Sequence, residues 1–258
     1  MPIKNNQEIT QLFQPLLQEA RELIQKKPLK IYESQQKDIS INLDLMLHDL
    51  IKNFLSQHFS FDVLSEEDKD QCDFLKQTQP VWIIDPLDGS FNVSRQIPMS
   101  CLSLGLWYDD TPRWGLIYDF NRDELFIGSL PENEICARSG AWCNQQPIQP
   151  ARTPVAEGVL STGYPSWRDF SDDALKRSIQ QVQSWKKIRM IGSAALSLAW
   201  VGCGRVDAYM EEDIRIWDVA AGLAIVQAAG GQFVMQKNQK TNFVTVKAAN
   251  GTIPVNEI

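Results

Sequence analysis

The sequence predicts a layered α/β (α+β) fold that contains two β-sheets. Two amphipathic helical segments come first, apolar strands separated by turn residues follow, and strands then alternate with helices. This order favours sheets covered by helices over an all-α or all-β domain. We expect residues 1–258 to form one unit, with an N-terminal lobe at about 1–150 and a C-terminal lobe at about 151–258. The division is predicted near Pro147, Pro150 and Pro154.

The first two elements are predicted to be helices because their apolar residues recur at helical spacing. In residues 7–26 this stripe includes Ile9, Phe13 and Leu16. The second helix follows Ser40, whose hydroxyl suits an N-cap position. His48 falls in the polar stripe of the second helix, so we expect it to be exposed.

The middle of the chain reads as strands and the last third as alternating strands and helices. Val81–Ile84 is a short apolar run typical of a buried strand, and residues 100–108, 113–120 and 124–128 predict an antiparallel meander. Further strands are expected near Val159, near Ile188 and at Val206–Met210, and further helices at about 172–184, from Ser193 and at about 217–229.

Composition and charge exclude several classes of function. The net charge of −7 argues against nucleic-acid binding, which requires clustered basic residues. No apolar run is long enough to span a bilayer, and the first ten residues lack a secretory pattern, so we expect a cytoplasmic protein without a membrane partner. Five widely spaced cysteines fit reduced thiols, and two histidines give little support to a histidine-based metal site.

The segment Asp85-Pro-Leu-Asp-Gly-Ser90 carries the strongest chemical signal. A hydrophobic strand runs into Asp85, and we expect Pro86 to end its hydrogen-bonded ladder. Such a strand end can direct two carboxylates and a carbonyl at one point, which suits a Mg²⁺ ion. Gly89 permits close approach of a phosphate, and a helix beginning near Ser90 offers free N–H groups. For an isolated Asp-x-x-Asp, a capped turn is the simpler interpretation.

Two other acidic segments strengthen the metal hypothesis. Glu66, Glu67 and Asp68 follow a short apolar run, and Asp218 lies in the first turn of an apolar helix. Taken singly, the first segment is typical of a solvated loop and Asp218 of a carboxylate that stabilises a helix N-terminus. Three such segments together favour a metal site, although spacing alone does not show that they converge.

These segments resemble the signatures of the inositol monophosphatase family. The match comprises Asp85–Asn92 and Trp217–Gly222, and it extends to Gly140–Asn144, to Arg189–Ala195 and to Asp38–Ser40 with Asp44. The resemblance implies an αβαβα sandwich of the sugar-phosphatase type. Ser65 and Ser90 depart from the family's usual Gly and Thr, and Glu33 stands where a Lys is common.

The resemblance also implies roles for individual residues. The ligands of two or three Mg²⁺ ions would be Glu66, Asp85, the carbonyl of Leu87, Asp88 and Asp218. The catalytic residues would be Asp44, Glu66 and Ser90, of which Asp44 and Ser90 orient the nucleophilic water. The substrate-binding residues would be Gly89, Ser90, Ser193, Ala194 and Glu211.

The implied reaction is Mg²⁺-dependent hydrolysis of a small phosphate monoester by direct attack of metal-activated water. Inositol monophosphate or a related sugar or polyol phosphate is the first substrate hypothesis. The segment Asp85–Asn92 followed by Ile97-Pro98 resembles members that accept fructose 1,6-bisphosphate, whereas Val63–Asp68 resembles those that act on adenosine 3′,5′-bisphosphate. A regulatory binding protein that retains the fold is the alternative from another class. The family also implies a homodimer and inhibition by lithium.

Overall fold

The computed structural model describes residues 5–26, 42–68, 79–133, 135–167, 169–239 and 242–258. Its helices are α1 (Asn6–Lys26), α2 (Asn42–His58), α3 (Ser90–Ser94), α4 (Asp172–Val182), α5 (Ala194–Gly202) and α6 (Ile216–Ala228). None of the helices in these ranges is both long and apolar enough to cross a bilayer. The helix boundaries agree with the sequence-based expectations to within a few residues.

Within the described ranges, seven strands form the first sheet, in the same order as they occur in the chain. They are β1 (Asp62–Ser65), β2 (Val81–Asp88), β3 (Cys101–Tyr108), β4 (Thr111–Asp119), β5 (Glu124–Ser129), β6 (Gly140–Cys143) and β7 (Gln146–Pro147). β1 runs parallel to β2, and all other neighbours are antiparallel. The predicted meander is therefore confirmed as β3, β4 and β5.

In the part of the chain that the structure describes, the second sheet has five strands in the order β11-β12-β10-β8-β9. Its members are β8 (Val159–Thr162), β9 (Lys187–Arg189), β10 (Ala208–Arg215), β11 (Gln232–Lys237) and β12 (Phe243–Ala249). Sequence analysis located β8, β9 and the first part of β10, but it did not delimit β11 and β12. β11 has no buried residue and carries polar residues on both faces, whereas the apolar alternation of β12 was present but was not singled out.

The layers stack as helix, sheet, helix, sheet and helix, which confirms the predicted αβαβα sandwich. α1 and α2 cover one face of the first sheet with residues such as Phe13 and Leu47. α5 and α6 are almost wholly apolar because they lie between the two sheets. Trp185, which follows α4, and the C-terminal Ile258 pack on the outer face of the second sheet. Burial of this apolar surface is the main source of stability.

A row of glycines in the first sheet sets the height of α6 above it. Gly105, Gly115 and Gly128 are direct neighbours on β3, β4 and β5. A β-carbon at Gly115 would lie 2.2 Å from the carbonyl oxygen of Ala221, and one at Gly128 would lie 2.5 Å from the Cα of Ile225. The helix backbone therefore rests against the sheet backbone, at a distance that no side chain would permit.

Candidate metal and phosphate site

β2 carries two acidic residues into a cleft between the sheets by means of a bulge. Pairing with β3 passes from Asp85 opposite Ser103 to Asp88 opposite Cys101, so β2 contains one extra residue. Asp85 and Asp88 are three positions apart and would face opposite sides of a regular strand, but the bulge brings both to one region. The expectation that Pro86 ends the strand is wrong, since the bulge absorbs its missing N–H and pairing resumes at Asp88.

Three carboxylates from distant segments converge at this point. Oxygen atoms of Glu66, Asp85 and Asp218 all lie within 4.8 Å of one another. Glu66 follows β1, and its N–H donates to the carbonyl of Ile84 at 3.4 Å, while Asp218 lies in the first turn of α6. An all-oxygen set of this size suits a hard divalent cation such as Mg²⁺.

Asp88 has a different environment, because it joins β2 to the N-terminus of α5. Its Oδ2 accepts hydrogen bonds from Ser193 Oγ at 2.6 Å and from the Ala195 N–H at 2.7 Å, and Cys101 Sγ lies 3.7 Å away. Ser193 also accepts from the Leu196 N–H at 3.2 Å and so acts as the N-cap of α5. Asp88 thus holds the start of α5 at the edge of the cleft.

The electrostatics of the site favour bound cations. Burial, followed by the charge of Glu66, raises the pKa of Asp85 and Asp218 well above the usual value for aspartate. Burial, followed by Glu67 and Asp44, raises the pKa of Glu66 to about 8, although one side of this residue is open to the cleft. Close carboxylates disfavour one another's ionised form, and a divalent cation would reverse that effect. The residues present therefore fit the metal that the sequence implies.

The cleft has a volume of about 680 Å³, and most of the predicted site residues line it. The lining residues among them are Asp44, Glu66, Asp88, Gly89, Ser90, Ser193, Ala194, Glu211 and Asp218. Asp85 and Leu87 are buried beneath the surface. Convergence of these segments was the point that sequence spacing left open. Asp38–Ser40 and Glu33 lie outside the described residues.

Gly89 forms the turn between β2 and α3. Its φ of 87° lies in the left-handed region, and a β-carbon there would lie 2.5 Å from the Met99 carbonyl oxygen. Asn92 in α3 fixes this turn to neighbouring segments, since its Nδ2 donates to the carbonyls of Met99 at 2.9 Å and Ile191 at 2.8 Å. The turn therefore has a fixed position relative to the segment that leads to Ser193.

Glu211 lies on the second wall of the cleft, where β10 and the loop after β8 meet. Its Oε2 accepts a hydrogen bond from the Tyr209 hydroxyl at 2.8 Å. A β-carbon at Gly163 would lie 2.4 Å from the same oxygen, so the loop passes directly over this carboxylate. Glu211 is thus positioned to contact a ligand that extends from the acidic floor of the cleft, formed by Glu66, Asp85 and Asp218.

His48 differs from its predicted exposure, since its side chain is buried. Its Nδ1 lies 2.8 Å from Ser65 Oγ. Lys52 donates to Asp68 Oδ1 at 2.8 Å, and Asp68 Oδ2 accepts from the Ser65 N–H at 3.1 Å. Helical periodicity placed His48 on a polar stripe, but the turn that carries Glu66 packs on that stripe and buries it.

Three other residues of the cleft were not singled out by sequence analysis. Tyr164 and Trp167 come from the loop after β8, and Arg215 comes from the end of β10. A signal for Arg215 was present, because it is a basic residue within the otherwise apolar run Ile214–Trp217. The aromatic loop carried no such signal, since its proximity to the acidic segments depends on the tertiary fold.

Comparisons with known proteins agree with this geometry. The model of the inositol monophosphatase family matches residues 5–254. Inositol monophosphatase 1 of Solanum lycopersicum is 36% identical over 202 residues, covering 76% of this chain and 71% of the relative. The Nus factor SuhB of Xylella fastidiosa is 34% identical over 214 residues, covering 82% and 74%. The structure of inositol monophosphatase from Anabaena superposes with a TM-score of 0.77 at 29% identity, covering 95% of this chain and 92% of the other.

Proposed function

Because the chain belongs to the inositol monophosphatase family, whose members are phosphoric monoester hydrolases, we propose that it hydrolyses a small phosphate monoester with the help of Mg²⁺. Inositol monophosphate or a related sugar or polyol phosphate is the proposed substrate. The observation that carries the proposal is the convergence of Glu66, Asp85 and Asp218 within 4.8 Å. Uncatalysed hydrolysis of such esters is extremely slow, with enzymatic accelerations of up to ~10²¹-fold.

The acidic cluster is the proposed binding site for two or three Mg²⁺ ions. The ligands would be Glu66, Asp85, the carbonyl of Leu87, Asp88 and Asp218. When bound, these ions would supply Lewis acidity to the attacking water, the phosphoryl oxygens and the leaving alkoxide. Asp88 would keep one oxygen for α5, because Oδ2 already accepts from Ser193 and Ala195.

The remaining site residues would position water and substrate. Asp44 and Ser90 both line the cleft, and they would orient the nucleophilic water for in-line attack. The backbone N–H groups of Gly89 and Ser90 would bind the phosphoryl oxygens, because the left-handed turn exposes them at the start of α3. Glu211 would accept hydrogen bonds from substrate hydroxyls, held in place by Tyr209.

Phosphate release with and without Mg²⁺ tests the proposal. The substrates are inositol monophosphate, fructose 1,6-bisphosphate, adenosine 3′,5′-bisphosphate and histidinol phosphate. We expect Mg²⁺-dependent turnover of at least one, lost in Asp85→Asn and retained in Asp62→Asn, which removes an exposed carboxylate of β1. Mg²⁺ should also raise the melting temperature of the wild type but not that of Asp85→Asn. Absence of both effects in the wild type would contradict the proposal.

A binding role is the second candidate, and the similarity to a protein named as a Nus factor favours it. The chain would then act as a regulatory partner that keeps the phosphatase fold. Affinity capture with the wild type and Asp85→Asn separates this role from catalysis. One stoichiometric partner bound equally by both proteins, with background activity on all phosphates, would support the binding role.

Three further properties belong to the same proposal: a homodimer, inhibition by lithium and a cytoplasmic location. Cys101, Cys136, Cys143 and Cys203 are free thiols, in keeping with a reducing compartment. Light scattering that gives the mass of one chain would contradict the homodimer. Turnover unchanged by lithium chloride would contradict the inhibition.

A further inference from the structure

Arg215 is held at the wall of the cleft by three aromatic rings. Its guanidinium carbon lies 3.8 Å from the ring centroid of Phe243, 5.2 Å from that of Trp217 and 5.6 Å from that of Trp167. Cation–π contacts of this kind restrict a guanidinium, yet they leave its formal charge intact. The three rings come from β12, α6 and the loop after β8, so several parts of the fold cooperate in placing one cation.

The surroundings of Arg215 are themselves fixed. Trp167 Nε1 donates to the Asp213 carbonyl at 2.7 Å, and its ring meets Phe243 edge-on with centroids 5.8 Å apart. Asp213 has a φ of 56° and lies in a bulge, where the pairing of β10 with β12 passes from Glu211 to Ile214. The bulge thus places Arg215 on the cleft wall that also carries Glu211.

The charge of Arg215 stands out among the described residues that line the cleft. Six of these residues are acidic, and Arg215 is the single Lys or Arg among them. Its charge acts on the acidic floor, since it opposes the rise in the pKa of Glu66 and Asp218. A positive charge that only offsets nearby carboxylates does not need a guanidinium held in one orientation. The three aromatic contacts fix the orientation of the Arg215 guanidinium, and recognition of an anion by its N–H donors requires such an orientation.

We propose that Arg215 is a specificity-determining residue that binds a second anionic group of the substrate, on the part that faces the Tyr164–Trp167 loop. The substrate class would then be phosphate monoesters with a second phosphate or carboxylate, such as sugar or nucleoside bisphosphates. The inference rests on the proposed function and narrows it, because inositol monophosphate lacks that second group. The cleft volume of about 680 Å³ is within the range of sites that hold ligands larger than a phosphate ion.

Matched pairs of substrates isolate the second anion. Each pair shares a scissile ester: fructose 1,6-bisphosphate with fructose 1-phosphate, adenosine 3′,5′-bisphosphate with adenosine 3′-monophosphate, and inositol 1,4-bisphosphate with inositol 1-phosphate. The quantity measured is kcat/KM for each member with Mg²⁺. The variants are Arg215→Gln, Arg215→Met, which keeps apolar contact with the rings, and Arg215→Lys, which keeps the charge. Arg177→Gln is the matched control, because it removes an exposed charge from α4 outside the cleft.

We expect the wild type to prefer the bisphosphate of at least one pair by about 10- to 100-fold, as for a charged hydrogen bond. Arg215→Gln and Arg215→Met should lose most of that preference through a higher KM for the bisphosphate, whereas the lost charge near Glu66 and Asp218 affects both members of a pair and cancels in their ratio. Arg215→Lys should retain part of it, and Arg177→Gln all of it. A ratio that stays unchanged in both neutral variants, whatever the loss on the single substrates, would overturn the inference in favour of packing or of charge compensation at Glu66 and Asp218.

Binding measurements separate this inference from the proposed function. If the wild type hydrolyses no member of any pair, the proposed function fails, and titration calorimetry of the same compounds with Mg²⁺ then tests Arg215 directly. Tighter binding of a bisphosphate than of its monophosphate, lost in either neutral variant, would support the inference. Equal binding of the two, or binding of neither, would overturn it.

Discussion

The substitution Ser193→Ala tests whether Asp88, a proposed metal ligand, is also a structural link between β2 and α5. The Ser193 hydroxyl donates to Asp88 Oδ2 at 2.6 Å and accepts from the Leu196 N–H at 3.2 Å, and Ser193 is almost fully buried. Alanine removes both interactions without adding bulk. The change should therefore lower the free energy of unfolding and raise the pKa of Asp88 further.

The magnitude follows from the two lost interactions. A hydrogen bond to a charged group contributes about 1.5–3 kcal/mol. The N-cap contributes about 1 kcal/mol. Because the two share one hydroxyl they are not fully additive, so we expect a total loss of about 2–4 kcal/mol. Burial raises the pKa of Asp88 to about 6, so the carboxylate is largely ionised at pH 7.5 and the charged bond applies there.

Ser178→Ala provides the matched control. Ser178 is equally buried, and its hydroxyl donates to the Ala174 carbonyl within α4. Its loss should cost about 1 kcal/mol. Urea unfolding in EDTA at pH 7.5 measures both variants. If Ser193→Ala and Ser178→Ala are equal within error, the charged link to Asp88 contributes nothing and the reasoning is refuted.

Three other predictions concern the same region. In EDTA the free energy of unfolding should fall as the pH rises from about 4 to about 6, because Asp88 binds its proton more tightly in the folded chain. Mg²⁺ should reduce this fall. A free energy of unfolding that rises with pH across this window in EDTA would contradict the raised pKa of Asp88. Gly89→Ala should abolish turnover and lower the melting temperature by more than Gly230→Ala. Both glycines have positive φ, but a β-carbon at Gly89 would clash with the Met99 carbonyl oxygen, whereas one at Gly230 meets nothing within 4 Å. Equal melting temperatures of the two variants would argue against this clash. His48→Ala should raise the Mg²⁺ concentration needed for half-maximal turnover several-fold, because the His48–Ser65 contact positions the turn that carries Glu66. Ser65→Ala should have the same effect. Unchanged Mg²⁺ activation in both variants would mean that the contact serves packing alone.

Sequence reasoning succeeded where local chemistry dictates structure. The apolar run before Asp85, the glycine at 89 and the acidic first turn of α6 each carry their own signal, and the structure brings these segments together. Helix boundaries followed from apolar periodicity for the same reason. The strand signal was weak in β11, where polar residues occur on both faces, whereas β12 alternates and its signal was not used.

Two contacts that the sequence did not reveal join residues that are distant in the chain. His48 meets Ser65 17 positions away, and Asp88 meets Ser193 105 positions away. The helical pattern around His48 reports only which side is polar, and a polar side can still be covered by a turn. Pro86 was wrongly expected to end the strand: it has no N–H to donate, yet pairing resumes at Asp88 opposite Cys101 on β3.

The glycine row beneath α6 has a consequence for how this enzyme tolerates change. Ala221, which rests over Gly115, lies one helical turn beyond Asp218, so a methyl group added to the sheet would move Asp218, a proposed metal ligand, away from Glu66 and Asp85. Gly115→Ala would therefore impair catalysis from a position that touches neither substrate nor ion. In a mutational scan these glycines would score like catalytic residues. Screens that assign function from lost activity alone would count Gly105, Gly115 and Gly128 among them, whereas their role is to set a distance.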